Sequence, residues 1–395
     1  MVIRGPESGA KRQEGIESIF RARMPEKTEK LSEQELTRRA ELIFEDFIVN
    51  VLPPIYTMVA NGEGKQKLER VEGTKGDKRT VIDLTSHHLF SEAVKEQTGL
   101  PSVIFGEEDF EPRSLPREIT GKTKFLVFSE DSIDNSDPYI KGVKGAGVYN
   151  VITAFDQDGK VLMGIAIDFE NATVIISKNN RNILRKYEMI EKQNGDPNRK
   201  EFAIKETDPE KLTEVEIFPS RRKTLNDPDA TFFTFMGEKK WTKLAIDEFL
   251  PKLQEEYSDR KTYFELSRGG SHIYPFFLAN GKGQAYAQSE EPVSEVCPAL
   301  AAIAFAGLTM VAVKKDGTIM KIKFNPKELL KNPGLYKEEF IDFLIVAVTP
   351  EIAGEIVDSY FKQKQELEAR EAKIAFADSH PGEFEIFRTS KNRQN

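Results

Sequence analysis

Cysteine and histidine are scarce in this sequence, and their scarcity excludes several kinds of chemistry. The 395 residues include one cysteine, Cys297, and four histidines. So few ligands cannot form a zinc site of the usual cysteine and histidine type. Cys297 lies in the apolar segment VCPALAAIAFAG, which predicts a buried and unreactive thiol. No disulfide can form within the chain, as is usual in a reducing compartment, so we expect a cytoplasmic location.

Long apolar runs and a strong excess of one charge are also absent. The longest apolar stretch, residues 298–313, is shorter than the roughly 20 residues that span a bilayer. The 57 Lys and Arg against 65 Asp and Glu give a net charge of −8, and both signs are spread along the chain. We therefore expect neither a nucleic acid nor a membrane as partner. Any catalysis must rest on carboxylates, hydroxyl groups and a hard cation.

Mixed helical and strand patterns predict an α/β protein with two lobes. Helical spacing begins after Ser32, which forms a capping-box pattern with Glu35, and we expect Pro53 and Pro54 to interrupt this helix. The predicted segments are a flexible N-terminal arm at 1–30, a metal-binding α/β lobe at 31–210, a second α/β lobe at 211–350, and a C-terminal helix and tail at 351–395.

The middle of the chain contains a clear strand pattern followed by an irregular segment. Residues 148–177 alternate apolar and polar side chains and are broken by two turns, which predicts a meander of about three antiparallel strands. Residues 180–212 lose this periodicity and gain charge. We interpret them as an insertion or a boundary.

Acidic residues follow three predicted strands. Asp131-Ser132-Ile133-Asp134 follows the apolar strand KFLVF, Glu107 and Glu108 end a second strand, and Asp83 ends a third. Two carboxylates and an intervening backbone carbonyl in a tight turn can coordinate one or two Mg²⁺ ions, which prefer oxygen ligands. Carboxylates this close raise one another's pKa unless cations balance them. The sequence therefore predicts a magnesium site.

The residues after Asp134 add a place for a phosphate group. Ser136-Asp137-Pro138 is typical of a helix start, where the backbone N–H groups of Asn135 and Ser136 would face a phosphate. Two metal ions about 3.5 to 4 Å apart can activate a water for attack on a phosphoryl group. The hydroxyl of Ser136 can hold that water in line. The alternatives are that these acids only cap helices and line solvated turns, or that metals bind without turnover.

In this order, the segments resemble the inositol monophosphatase and fructose-1,6-bisphosphatase superfamily of Mg²⁺-dependent, lithium-sensitive phosphomonoesterases. The Gly-Glu-Glu motif stands at 106–108, the motif Asp-Pro-Ile/Leu-Asp-Gly-Thr/Ser at 131–136, and a Gly-Ser pair at Gly270 and Ser271. SEVCPALAAIAFAG resembles the last metal motif. The resemblance runs from about Leu31 to Val313. It implies a five-layer αβαβα sandwich, with two sheets and with helices between and outside them.

The resemblance also implies a set of metal ligands for two or three Mg²⁺ ions. The first ion would be held by Glu107, Asp131 and the backbone carbonyl of Ile133. The second would be held by Asp131, Asp134 and Glu295. Asp83 with Glu107 would serve a third ion or its water.

The implied catalytic residues are Asp83, Glu107 and Ser136, with Ser136 paired to Asp83 to position the attacking water. The implied substrate contacts come from two segments and are Asn135, Ser136, Gly270 and Ser271.

Three positions depart from the family motifs. Ser132 replaces a proline and loosens the turn that aims the two aspartates. Asn135 replaces a glycine, and Glu295 replaces the aspartate of the inositol enzymes, as in fructose-bisphosphatases. These departures affect the expected rate and substrate more than the expected metal binding.

The expected function is Mg²⁺-dependent hydrolysis of a small phosphate monoester by metal-activated water. Fructose-1,6-bisphosphatase activity, favoured by Ser136 and Glu295, is an alternative, as is hydrolysis of a 3′-nucleotide bisphosphate. A non-catalytic ligand-binding or regulatory protein is the alternative from another class. The expected partner is a small phosphorylated substrate, and a homodimer is left open.

Overall fold

A computed structural model describes most of the two lobes. The described residues are 32–65, 80–97, 100–106, 124–134, 139–142, 147–193, 198–221, 231–235, 263–267, 273–314, 316–320, 322, 324–331 and 340–379. The predicted arm at 1–30 lies outside them.

The described helices belong to both halves of the chain. They are α1 (Glu33–Asn61), α2 (Val81–Gln97), α3 (Ile273–Ala279), α4 (Leu300–Ala306), α5 (Pro326–Lys331) and α6 (Pro350–Ser379). Short 3₁₀ helices occupy Pro209–Lys211 and Val293–Ala299.

The first sheet contains seven strands in the order β1-β2-β3-β4-β5-β6-β9. These are β1 (Ser102–Gly106), β2 (Leu126–Asp134), β3 (Tyr149–Asp156), β4 (Val161–Asp168), β5 (Thr173–Lys178), β6 (Arg181–Lys186) and β9 (Glu214–Ile217). β1 and β2 are parallel, and every other pair is antiparallel. The predicted meander is confirmed as β3, β4 and β5.

Residues 180–212, which we interpreted as an insertion or a boundary, contain regular strands. β6 pairs with β5, while β7 (Met189–Lys192) and β8 (Glu201–Ile204) form a separate two-stranded sheet. β6 has a charged sequence, but its Arg185 side chain is buried. Hydrogen bonds to Glu45 and Glu214 compensate the buried charge. β9 completes this first sheet, although its residues follow the predicted lobe boundary at 210.

The second sheet contains six strands in the order β11-β10-β12-β15-β13-β14. These are β10 (Thr231–Phe235), β11 (Tyr263–Ser267), β12 (Ala285–Pro292), β13 (Thr309–Val313), β14 (Ile319–Met320) and β15 (Phe340–Ala347). β10 is parallel to both of its neighbours, and the remaining pairs are antiparallel.

Helices and sheets alternate in five layers, which confirms the expected αβαβα sandwich. α1 and α2 pack on one face of the first sheet, α3 and α4 lie between the sheets, and α6 packs on β15 and β13 of the second sheet. Successive side chains of β2 belong to two different cores. Leu126 and Phe128 pack in the core under α1 and α2, and Val127 packs in the core between the sheets.

Helix α1 begins as predicted but does not stop at its prolines. The Ser32 hydroxyl accepts a hydrogen bond from the Glu35 N–H at 3.1 Å, as the capping-box pattern indicates. The expected interruption at Pro53 and Pro54 is wrong, because the helix continues to Asn61. Proline removes two backbone donors there, but the flanking apolar side chains are fully buried, which favours one continuous helix. α1 is long and apolar enough to cross a membrane by length and composition. Its packing in this core accounts for that composition.

Candidate functional site

The predicted acidic motif lies inside strand β2 and not in a turn after it. We expected the strand to end before Asp131, but β2 continues to Asp134, and its residues from Glu130 to Asp134 are buried. The prediction of a tight turn is therefore wrong. β2 pairs with β3 at both ends of the motif: Asp131 pairs with Val151, and Asp134 pairs with Tyr149.

A β-bulge separates the two aspartates. Ser132 and Ile133 together face one residue of β3, Asn150, between the pairs formed by Asp131 and Asp134. Residues three apart in a regular strand point to opposite faces. The bulge inserts one extra residue, so the two aspartates pair with Val151 and Tyr149, which are two apart on β3 and point to the same face. Both carboxylates therefore lie on the face of the sheet that is turned toward α3 and the second sheet.

The second aspartate is fixed by a long-range hydrogen bond. The backbone N–H of Ile273, the first residue of α3, donates to Asp134 Oδ2 at 2.9 Å. This bond joins segments 139 residues apart in the chain. It brings the start of α3, which follows Gly270 and Ser271 after one residue, to the acidic end of β2. Gly270 and Ser271 themselves lie outside the described residues.

Asp83 lies in the first turn of α2, so its predicted place at a strand end is wrong. Asp83 Oδ2 accepts hydrogen bonds from the Thr80 backbone N–H at 2.6 Å and from its hydroxyl at 2.5 Å. The Asp83 N–H bonds back to the Thr80 hydroxyl at 3.3 Å. This reciprocal pattern is a capping box with aspartate in place of glutamate. The cap accounts for the burial of Asp83, and its catalytic and metal-binding roles stay predictions.

The segment that carries Glu295 lies beside the same strands. The 3₁₀ helix Val293–Ala299 contacts β2 and β3. Thr153 of β3 anchors its end, because the threonine hydroxyl donates to the Pro298 carbonyl at 2.6 Å and accepts from the Ala301 N–H at 3.1 Å. The side chain of Glu295 is not among those described. Glu107, Asn135 and Ser136 also lie outside the described residues, so their roles stay predictions.

A buried polar network that we did not predict lies behind the motif. Glu130 is fully buried, and its Oε2 lies 2.8 Å from His87 Nδ1 of α2. The Asn150 side-chain amide lies 3.4 Å from Glu130 Oε1. Because neighbouring residues in a strand alternate faces, Glu130 points away from the Asp131 side. The sequence contained signals for this network. Glu130 follows an apolar segment, Asn150 interrupts the apolar pattern of β3, and His87 follows Asp83 by one helical turn.

The donor set fits a hard cation. Asp131 and Asp134 bury carboxylate oxygens on one face, and Mg²⁺ prefers such ligands. Burial of like charges is unfavourable without compensation by cations or hydrogen bonds. Within the described ranges, no three or more His, Cys, Asp or Glu side chains form a metal-binding group. The side chains of the predicted ligands Glu107 and Glu295 lie outside those ranges.

A cavity of about 380 Å³ opens beside this end of the sheet, between β4, β5 and β6 on one side and α3 on the other. Ile273, which binds Asp134 through its N–H, lines it, and the Tyr149 ring packs edge-on against that of Phe277 at 5.7 Å. The described lining combines apolar side chains that are buried or half-buried with polar ones that are half-buried or exposed: Ala166, Asp168, Asn171, Thr173, Ile175, Leu184, Lys186, Ile273, Phe277, Asn280 and Lys282.

Burial and nearby carboxylates change the pKa of the Tyr149 phenol. Burial raises the pKa of the Tyr149 phenol above its usual value, and the carboxylates of Asp168 and Asp134 raise it further. The phenol therefore stays protonated and neutral at physiological pH. Asp168 itself is held in place by Asn171, whose backbone N–H and side-chain amide donate to its two oxygens at 3.0 and 2.8 Å.

Comparisons with known proteins give similar structures without a sequence match. No family model matches the chain, and no curated protein matches it by sequence. Among solved structures, the inositol monophosphatase of Thermotoga maritima is similar, with 14% identity and a TM-score of 0.49 over 81% of this chain and 98% of that chain.

Two further structures give the same picture. The inositol monophosphatase of Anabaena is 13% identical, with a TM-score of 0.48 over 81% of this chain and 95% of that chain. Staphylococcal inositol monophosphatase-1 is 12% identical, with a TM-score of 0.49 over 84% of this chain and 96% of that chain.

Proposed function

We propose that this protein is a Mg²⁺-dependent phosphatase that hydrolyses a small phosphate monoester. The observation that carries the proposal is the bulge in β2, which turns Asp131 and Asp134 to one face, together with the hydrogen bond from Ile273 to Asp134. Two segments with family motifs, far apart in the chain, therefore meet at one place.

The proposed roles follow from position and chemistry. Asp131 would hold two ions, Asp134 the second ion, and the Ile133 carbonyl the first. Bound Mg²⁺ supplies charge that polarises the phosphoryl oxygens and lowers the pKa of a bound water. The Ser136 hydroxyl would orient that water, and the N–H groups of Asn135 and Ser136 would hold the phosphate.

The cavity beside Asp134 is the proposed place for the non-reacting part of the substrate. Its volume of about 380 Å³ is suited to a small organic group. The exposed Lys186 and Lys282 favour an anionic or hydroxylated group, and Lys282 Nζ lies 4.4 Å from the centre of the Phe277 ring. These features favour a polyol or sugar phosphate. Inhibition by Li⁺, which the sequence resemblance implies, belongs to the same proposal.

Phosphate release from a panel of monoesters tests this function. The panel should contain inositol 1-phosphate, glycerol 2-phosphate, fructose 1,6-bisphosphate and a 3′-nucleotide bisphosphate, each with Mg²⁺ and with EDTA. We expect release from at least one ester with Mg²⁺, none with EDTA, and none from Asp131→Asn. Glu210→Gln, which changes an exposed acid on the 3₁₀ helix 209–211, is the matched control and should keep wild-type activity. Mg²⁺ binding without release from any ester would instead favour a non-catalytic protein.

A further inference from the structure

The bulge in β2 leaves a buried backbone carbonyl that the regular ladder cannot satisfy. A bulge places two residues opposite one, so one residue loses its partner in the sheet. Buried carbonyl groups nearly always find another donor. Here the donor is a side chain: Asn150 Nδ2 lies 3.2 Å from the Ser132 carbonyl oxygen. Asn150 is the residue of β3 that faces the bulge, and both residues are almost completely buried.

The Asn150 side chain donates through its amide nitrogen, and its amide oxygen is buried without a hydrogen-bond partner among the described residues. Its nitrogen faces three acceptors, which are the Ser132 carbonyl, Glu130 Oε1 at 3.4 Å and Ser86 Oγ at 3.3 Å. If the amide were turned over, its oxygen would face a carboxylate and a carbonyl, which are both acceptors without a hydrogen to donate. Glu130 is in turn held by His87 Nδ1 at 2.8 Å. The network therefore holds the amide in the direction that binds the bulge.

The bulge also lacks a restraint that the family motif supplies. Ser132 stands where the motif carries proline, whose ring fixes φ. Serine leaves this backbone angle free, and the Ser132 hydroxyl is buried without a hydrogen-bond partner, so it does not take over the restraint. The bond from Asn150 holds the peptide group between Ser132 and Ile133. That peptide joins the proposed ligands Asp131 and Asp134.

We propose that Asn150 is a positioning residue, which holds the bulge in the form that presents Asp131, the Ile133 carbonyl and Asp134 to Mg²⁺. Its role rests on the proposed metal-dependent function. Asn150 lies behind the strand and binds no metal itself. Partners that orient metal ligands in this way typically change metal affinity about 10- to 100-fold when they are removed.

The test compares two buried asparagines of the same sheet. Asn150→Leu removes the proposed restraint. Asn182→Leu is the matched control, because Asn182 on β6 is also buried and its side chain accepts a hydrogen bond from Ser177 at 2.6 Å away from the motif. Mg²⁺ affinity of the full chain is measured by calorimetry without substrate. We expect Asn150→Leu to weaken Mg²⁺ binding at least about 10-fold and Asn182→Leu to leave it unchanged. Wild-type affinity in Asn150→Leu would overturn the proposal.

A second substitution that restores Mg²⁺ affinity would distinguish a positioning role of Asn150 from a general effect on stability. Adding Ser132→Pro to Asn150→Leu restores the restraint of the family motif by another route, so we expect Mg²⁺ affinity to return most of the way to wild type. No recovery in a double variant that melts no lower than Asn150→Leu would contradict the proposed role.

Hydrogen exchange of the metal-free protein distinguishes failure of this inference from failure of the proposed function. We expect faster exchange at 131–134 in Asn150→Leu than in wild type and in Asn182→Leu. Unchanged exchange there would overturn the inference, whatever the metal result. If Asn150→Leu exchanges faster at 131–134 but the wild-type protein binds no Mg²⁺, the proposed function is refuted and the role of Asn150 in holding the bulge remains.

Discussion

Two charged clusters of the first sheet differ in composition. Arg185 on β6 contacts Glu45 at 2.7 Å, Glu214 at 2.7 Å and the Tyr187 hydroxyl at 3.1 Å, so one cation meets two carboxylates. Burial lowers the pKa of Arg185, but its hydrogen bonds to Glu45 and Tyr187 and the charge of Glu45 outweigh burial and raise the pKa above its usual value. The Arg185 cluster is thus satisfied by the protein's own groups.

The end of β2 has the opposite composition. It buries three carboxyl groups within five residues, at Glu130, Asp131 and Asp134, and the basic side chain that the structure describes in contact with Glu130 is His87. Glu130 is turned toward α2, while the two aspartates share the other face. The Arg185 cluster has the composition of a stabilising ion network, whereas the Asp131 side has the composition that the proposed cation site requires.

The largest expected effect is the loss of turnover in Asp131→Asn. An amide in place of the proposed bridging carboxylate removes a charge that both metal ions need, so we expect hydrolysis to fall by at least about 10³-fold. Asp134→Asn should lose less and recover partly at high Mg²⁺, because it is proposed to bind the second ion only. Steady-state rates over a range of Mg²⁺ concentrations measure both. Equal losses that excess Mg²⁺ does not reverse would contradict this division of roles.

Ser136→Ala is expected to have the next largest effect. It removes the hydroxyl that would orient the water and keeps the backbone N–H that would hold the phosphate. We expect kcat to fall by roughly 10²-fold, as for loss of a positioned proton-transfer group, with KM nearly unchanged. Ser136→Thr should restore most of the rate. A wild-type kcat in Ser136→Ala would show that another group orients the water.

Arg185→Met tests the structural cluster. It should lower the free energy of unfolding by about 2 kcal/mol, because a buried charge-assisted network is lost while Glu45 and Glu214 can still reach solvent. Urea unfolding measures this loss, and Mg²⁺ affinity should stay at the wild-type value. A large fall in Mg²⁺ affinity with unchanged stability would reverse the proposed contrast between the clusters.

Lys282→Met is expected to have the smallest effect. If the cavity holds the non-reacting part of the substrate, loss of this cation should raise KM about fivefold, the equivalent of ~1 kcal/mol, and leave kcat unchanged. Lys192→Met on β7 replaces an exposed lysine outside the cavity and serves as the control. Equal KM values in the two variants would remove Lys282 from the substrate site.

Local patterns predicted the elements that depend on nearby residues. The Ser32 cap and the meander β3, β4 and β5 follow from spacing within one segment. Thr80 and Asp83 also form a capping box, so the start of α2 was available from the sequence, but the apolar residues around Asp83 favoured the interpretation as a strand. The long helix through Pro53 and Pro54 was not predictable from spacing, because its stability depends on burial by distant strands.

The arrangement of the candidate site was only partly predictable. Asp131 and Asp134 were identified from their setting, but the bulge that turns them to one face depends on pairing with β3 and on the Asn150 side chain. The network of Glu130 and His87 was missed because its partners are 43 residues apart in sequence. Sequence spacing indicates which groups could bind a cation, and the sheet register decides which of them share a face.

Mg²⁺ titration of the melting temperature tests the central claim that the β2 end binds a cation. The measurement uses the full chain without substrate, for wild type, Asp131→Asn and the control Glu210→Gln. We expect Mg²⁺ to raise the Tm of wild type and of the control by linkage and to leave that of Asp131→Asn unchanged. Wild-type and Asp131→Asn melting curves that both stay unmoved by saturating Mg²⁺ would contradict the account.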